Sequence, residues 1–130
     1  MNSSREIVIT GMGVVSPIGI GDEAFWASLR AGRGGIRRLE LFDGGEPRPA
    51  IGADVRDFDP KRFVRPRKSL KVMSRDIQLA FAAADMAVQQ AAINGEVDPE
   101  RFGVVFGADM IACDLSEIQP AFAKCIVDGR

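Results

Sequence analysis

Apolar and polar positions alternate with different periods along the chain. Residues 7–10, Ile-Val-Ile-Thr, are β-branched throughout and stop at Gly11, which predicts a short buried strand. Residues 11–21 are dense in glycine and hold Pro17, so the pattern predicts a loop. Asp22 has the chemistry of an N-cap, and Glu23 follows where the helix dipole favours an acid. A short helix is predicted over residues 24–31, with Phe25 and Leu29 one turn apart and Gly32 as its stop.

Residues 32–49 show no sustained period and predict irregular surface structure anchored by Ile36, Leu39, Leu41 and Phe42. Residues 51–55 predict a short strand and Phe58-Asp59-Pro60 a turn. The clearest helix follows: Ile77, Phe81, Ala84, Val88 and Ala91 step by four and three, which is one face of an α-helix. Ala80, Ala83 and Ala87 widen that face with small side chains, so that a neighbouring backbone could approach closely. Asn94-Gly95 is the predicted stop. Asp98-Pro99-Glu100 predicts a turn or one helical turn, residues 103–107 a second apolar strand, and residues 115–127 a helix with Pro120 near its start. This order of elements implies an α/β layered domain, and 130 residues leave room for one.

Composition narrows the function classes. The net charge of −1 offers no overall field for nucleic acid. No apolar run is long enough for a signal-peptide core or a membrane span, so a cytoplasmic protein is expected. The chain contains no histidine, which removes Cys–His and Ser–His nucleophile pairs and histidine metal ligation. Its two cysteines, Cys113 and Cys125, are too few for a disulfide framework or a zinc site. Asp114 beside Cys113 opposes thiolate formation, and Cys125 lies on a helix with Ala121 and Phe122; both are expected to be packing residues.

Gly11-x-Gly13 after a strand has the start of a dinucleotide fingerprint. Its third glycine position is Ser16, however, and the next helix opens only near Asp22, too far on for its dipole to serve a pyrophosphate. The glycines are therefore read as a means of tight packing, and no cofactor or metal is expected.

The run Ile9-Thr10-Gly11-Met12-Gly13-Val14-Val15-Ser16-Pro17-Ile18-Gly19 is similar to the opening of β-ketoacyl-acyl-carrier-protein synthases of the elongating, type II kind. Trp26, Gly32-x-x-Gly35-Ile36, Phe42-Asp43, Phe58-Asp59, Arg67-Lys68-x-x-Lys71-x-Met73, Gln78-Leu79-Ala80 and Gly103-Val104-Val105-Phe106-Gly107 continue the likeness in order. The resemblance implies that residues 1–130 are the N-terminal segment of a thiolase-like fold, layered helix–sheet–helix and incomplete, in a cytoplasmic homodimer. The implied reaction is a decarboxylative Claisen condensation of an acyl thioester with malonyl-acyl carrier protein, on a cysteine and two histidines that lie beyond this chain. No catalytic residue is expected within it. A non-catalytic, chain-length-determining partner subunit would share the same N-terminal residues. Three departures stand out: Gly34 in the turn after the first helix, Met73-Ser74-Arg75-Asp76 before the long helix, and Ala108 to Cys113 where the family is glycine-rich.

Residues 61–75 carry seven bases, Lys61, Arg62, Arg65, Arg67, Lys68, Lys71 and Arg75, and no acid. A charge run is usually a solvated face. The resemblance implies more: docking of the acidic acyl carrier protein on Arg67, Lys68 and Lys71, with Arg62 and Arg65 as looser matches. The strands at residues 7–10 and 104–106 would lack partners in this chain, and unpaired edges promote association. The isolated chain is accordingly expected to self-associate or to be marginally stable; a robust monomer in sedimentation velocity would contradict this.

Overall fold

The computed structural model describes residues 6–39, 50–93, 95, 97–107 and 115–125. In chain order these form β1 (Val15–Ser16), β2 (Gly19–Ile20), α1 (Asp22–Arg30), β3 (Arg37–Leu39), β4 (Ala50–Gly52), α2 (Arg75–Gln90) and α3 (Leu115–Cys125). Short 3₁₀ turns occupy Pro60–Arg62, Arg67–Val72 and Pro99–Arg101.

The glycine-rich residues are not a simple loop. β1 and β2 pair antiparallel around Pro17 and Ile18, with Val15 opposite Ile20 and Ser16 opposite Gly19. The Ser16 hydroxyl closes the turn: it donates to the Gly19 carbonyl (3.0 Å) and accepts from the Ile18 N–H (3.3 Å). The N-cap of α1 is then Gly21, at φ 89°, rather than Asp22. The hairpin requires this, because the Gly21 N–H is spent on the Val14 carbonyl at 2.9 Å and the chain must turn sharply there. Asp22 becomes the first helical residue, and its Oδ1 accepts from the Glu23 N–H at 3.0 Å.

Two strand expectations are corrected in their burial, while the expected lack of partners holds. Residues 7–10 and 103–107 join no sheet among the described residues, and Ile7 and Val105 are 94% and 96% exposed. A strand exists only with a neighbour to complete its ladder, and β-branched sequence alone does not supply one. The strand expected at 51–55 is shorter, at Ala50–Gly52, and pairs antiparallel with Arg37–Leu39 inside the stretch read as irregular. Arg37 forms an ion pair with Asp54 beside this exposed hairpin.

α1 and α2 end in the same way. At α1, the Gly32 N–H donates to the Leu29 carbonyl (3.1 Å) and Arg33 N–H to Ser28 (2.9 Å), with Gly32 at φ 62°. At α2, the Ala92 N–H donates to Gln89 (3.1 Å) and Ile93 N–H to Val88 (3.3 Å), with Ala92 at φ 54°. Both are Schellman ends. The expected stop at Asn94-Gly95 is thus two residues late, because Ala92 accepts the left-handed conformation that glycine usually takes.

α2 organises the fold. Ser74 caps it, its Oγ accepting from the Ile77 N–H at 3.4 Å. The extended residues 11–13 lie across its alanines: a methyl group on Gly13 would stand 1.9 Å from the Ala83 carbonyl oxygen, and one on Gly11 would stand 2.1 Å from that of Ala87. The small residues thus serve the close approach that their spacing predicts. The face drawn through Ile77, Phe81 and Val88 is different, since all three remain exposed. The helix is apolar on two sides, and the described residues cover the side of Ala82, which is fully buried.

A side-chain strap joins the glycine segment to both helices. The Met12 N–H donates to Gln90 Oε1 (2.7 Å), and Gln90 Nε2 donates to Asp22 Oδ2 (2.8 Å). Only a group that accepts at one end and donates at the other completes this bridge.

Two tests follow from these contacts. Gly13→Ala should lose about 1–3 kcal/mol of stability through overpacking, whereas Ala92→Gly should gain about 1 kcal/mol by relieving the left-handed residue; urea denaturation of both variants measures the opposite signs. Gln90→Glu should cost about 1 kcal/mol by setting carboxylate against carboxylate, and Asp22→Asn in the same chain should recover most of that loss. A double-mutant cycle with no coupling would refute the strap.

Candidate functional site

The basic segment is held in place by a small aromatic core. Phe58 is buried and stacks on Phe63, with ring centroids 5.8 Å apart and planes 10° from parallel. Val64, the next residue, is 1% exposed. Asp59 starts the first 3₁₀ turn, its Oδ1 accepting from the Lys61 N–H at 3.0 Å, and Pro60 supplies the fixed φ of the following position. The Phe63 and Val64 N–H groups both donate to the Pro60 carbonyl, at 3.1 and 2.9 Å. This tight turn packs on α2 and on the second turn, Arg67–Val72.

The far end of the segment is tied as well. Arg75, the first residue of α2, lies over the Phe58 ring at 4.8 Å and donates to the Val55 carbonyl at 3.0 Å. A guanidinium over an aromatic face is attracted to the ring quadrupole, so Arg75 has a structural part to play. Gln78 Nε2 donates to the Met73 carbonyl at 2.9 Å and closes the junction with the helix.

Arg62, Arg65, Arg67, Lys68 and Lys71 are all exposed on this rigid segment. Arg62 stands 6.0 Å from the Phe63 ring centroid. Among the described residues none of the five is in an ion pair; the pairs present, Arg37–Asp54 and Arg56–Asp54 (3.7 Å), belong to the β3–β4 hairpin and its exit. The structure therefore sets four of the five cations on two adjoining turns and Arg65 on the link between them, all exposed to solvent. Such a surface attracts an acidic partner over several ångströms and weakens as salt screens it.

The other candidates lie elsewhere. The glycine segment has no room for a pyrophosphate, because carbonyl oxygens of Ala83 and Ala87 occupy the space above Gly13 and Gly11 and would repel an anion. Cys125 is a free thiol, exposed on α3 rather than packed, since the neighbouring residues 119–124 of that helix are exposed too. Cys113, Asn94 and the departure at residues 108–113 lie outside the described residues. No helix among the described residues is long and apolar enough to cross a membrane. Sequence reasoning missed two features here, the Gln90 strap and the exposure of Val72; polar–polar reach across 68 and 78 residues leaves no local signal.

Comparison with known proteins agrees with this geometry. Residues 4–122 match the family described as "Beta-ketoacyl synthase, N-terminal domain". The chain is 38% identical, over 82% of its length, to the tetracenomycin polyketide synthase ketoacyl synthase alpha subunit of Streptomyces glaucescens, of which it covers 25%. It is 36% identical, over 80% of its length, to 3-oxoacyl-[acyl-carrier-protein] synthase 2 of Coxiella burnetii, again covering 25% of that protein. Among solved structures, the ishigamide ketosynthase/chain length factor superposes with a TM-score of 0.58 at 41% identity, over 68% of this chain and 22% of that one. The chain thus spans about a quarter of the length of these curated relatives. With the family model matching nearly the whole sequence, and a mixed helix-and-strand fold of the thiolase-like kind, the chain belongs to the beta-ketoacyl synthase family.

Proposed function

We propose that this chain is the N-terminal segment, residues 1–130, of a cytoplasmic, homodimeric 3-oxoacyl-acyl-carrier-protein synthase of fatty-acid or polyketide synthesis. Its reaction is the decarboxylative Claisen condensation of an acyl thioester with malonyl-acyl carrier protein. The family match over residues 4–122 carries this reading. Relatives named for polyketide and for acyl-carrier-protein synthases support both metabolic settings.

Within these residues the role is scaffolding and recognition. The chain has no histidine, and its described cysteine is exposed on α3, so the acyl-transfer chemistry falls to groups outside it. The exposed cations Arg67, Lys68 and Lys71, flanked by Arg62 and Arg65, receive the acidic carrier protein, orienting it so that its phosphopantetheine arm can enter the enzyme. Electrostatic steering of this kind chiefly raises the association rate.

A second reading has a specific observation behind it. A solved structure that superposes on this chain is named for a ketosynthase and a chain length factor together, so a non-catalytic subunit that sets product length fits the same N-terminal segment. The residue at the nucleophile position downstream distinguishes them: cysteine identifies the enzyme, and glutamine or glycine the partner subunit.

Replacing Lys68 and Lys71 together by alanine should weaken binding of holo-acyl carrier protein about five- to tenfold at low ionic strength, with the difference fading as salt screens the charges. Arg38→Ala, which removes one positive charge from β3, should leave binding unaltered. Fluorescence anisotropy across a salt series measures both, and equal affinity for the chain and its lysine variant would sink the docking role. The unmodified chain should show no condensation of acyl- and malonyl-carrier protein in the same preparations.

A further inference from the structure

The second 3₁₀ turn, Arg67–Val72, runs for six residues, and its three-residue repeat stacks each side chain on the one three positions later. Arg67 therefore shares an edge with Leu70, Lys68 with Lys71, and Ser69 with Val72. Leu70 and Ser69 are half-buried, while Lys68 and Lys71 are exposed. The turn thus rests on the domain through its Leu70 and Ser69 sides and shows the lysine edge to solvent.

Val72 breaks this division. It is 84% exposed, whereas Phe58, Phe63, Val64, Leu70 and Met73 in the same segment are buried or half-buried. A single exposed valine is ordinary on a protein surface. This one, however, directly follows Lys71 in a stretch of fifteen residues (61–75) that holds seven bases and no acid.

Charge alone makes a poor grip. Solvent-exposed ion pairs contribute little and are screened by salt, so they speed encounter more than they prolong contact. Durable interfaces place an apolar contact inside a polar rim that excludes water. The Lys71–Val72 step sets the elements of such a contact, a cation and an exposed apolar side chain, side by side on the surface of this turn.

We propose that Val72 is the apolar anchor of the cationic docking surface, and that it meets an apolar side chain enclosed by acidic residues on the acyl carrier protein. This inference rests on the docking role given to the lysines. Charge complementarity selects the partner: a surface of five exposed cations, with no ion pair among the described residues, attracts an acidic protein and repels a second copy presenting the same face.

Lys68→Ala/Lys71→Ala and Val72→Ser separate the two ideas. Binding of fluorescent holo-acyl carrier protein is followed by stopped flow from about 50 to about 500 mM salt, where screening becomes strong, with sedimentation velocity run on each variant. Val72→Ser should weaken affinity about five- to tenfold, as loss of a valine contact implies. The loss should lie in the dissociation rate and be equal at every salt concentration. The lysine variant should instead slow association at low salt only. If the lysine variant weakens binding and Val72→Ser does not, the anchor is refuted while docking stands. Should neither alter binding, both fall. A Val72→Ser chain that binds the carrier normally but changes its sedimentation would assign Val72 to a contact between copies and overturn the proposal.

Discussion

The close approach of an extended backbone to the alanines of α2 is the constraint on which the rest of this structure depends. Gly11 and Gly13 lie so near the helix that a single methyl group would overlap its carbonyl oxygens. Only hydrogen at those positions lets the two backbones come this near, and the small side chains of Ala83, Ala87 and Ala91 leave the helix backbone open to the approach. Because Gly13 leads directly into β1, the docking fixes where the hairpin starts and hence where Gly21 delivers the chain to α1. The Gln90 bridge secures the same geometry at the C-terminal end of the helix, beside the Gly11 contact. The basic segment is positioned through α2 as well, since its last residue, Arg75, opens that helix.

How much of this was legible depends on the range of each interaction. The existence of α1, α2 and α3 could be read from periodicity, and the docking of a backbone on Ala83 and Ala87 from the smallness of those side chains. Gly32 was readable as a helix end, because a left-handed residue there favours glycine. Ala92 was not, because a Schellman end formed by alanine has no compositional mark and shifts the stop two residues forward. The hairpin around Pro17 was hidden by its own glycines, which signal a loop equally well. β3 was hidden for the opposite reason: Arg37 and Arg38 on an exposed ribbon leave no apolar alternation. Residues 7–10 and 103–107 have strand composition, yet pairing is a property of two segments and cannot be read from one.

The candidate site was readable as a cluster of charges but not as a surface. Residue types alone distinguish Arg67, Lys68 and Lys71 from their neighbours. They do not show that Arg75, equally basic, is occupied by Phe58 and Val55, or that Val72 is turned to solvent. The packing around Phe58 makes that distinction for Arg75, whose guanidinium lies over the ring and donates to Val55 although the residue is exposed like the other cations. The helix behind it is apolar on a further side, where Ile77, Phe81 and Val88 stand open, so this part of the fold has more surface to bury than its described residues cover.

The glycine segment also sets an order of events during synthesis. Gly13 rests on Ala83 and Gly11 on Ala87 and Ala91, so the earliest part of the chain is completed by residues made about seventy to eighty positions later. At the usual pace of a ribosome, the delay amounts to roughly 4–16 s. Throughout that interval Ile7, Val8 and Ile9 have left the ribosome with nothing to dock the glycines that follow them. A pause placed before α2 would lengthen the time for which the glycine segment stays undocked.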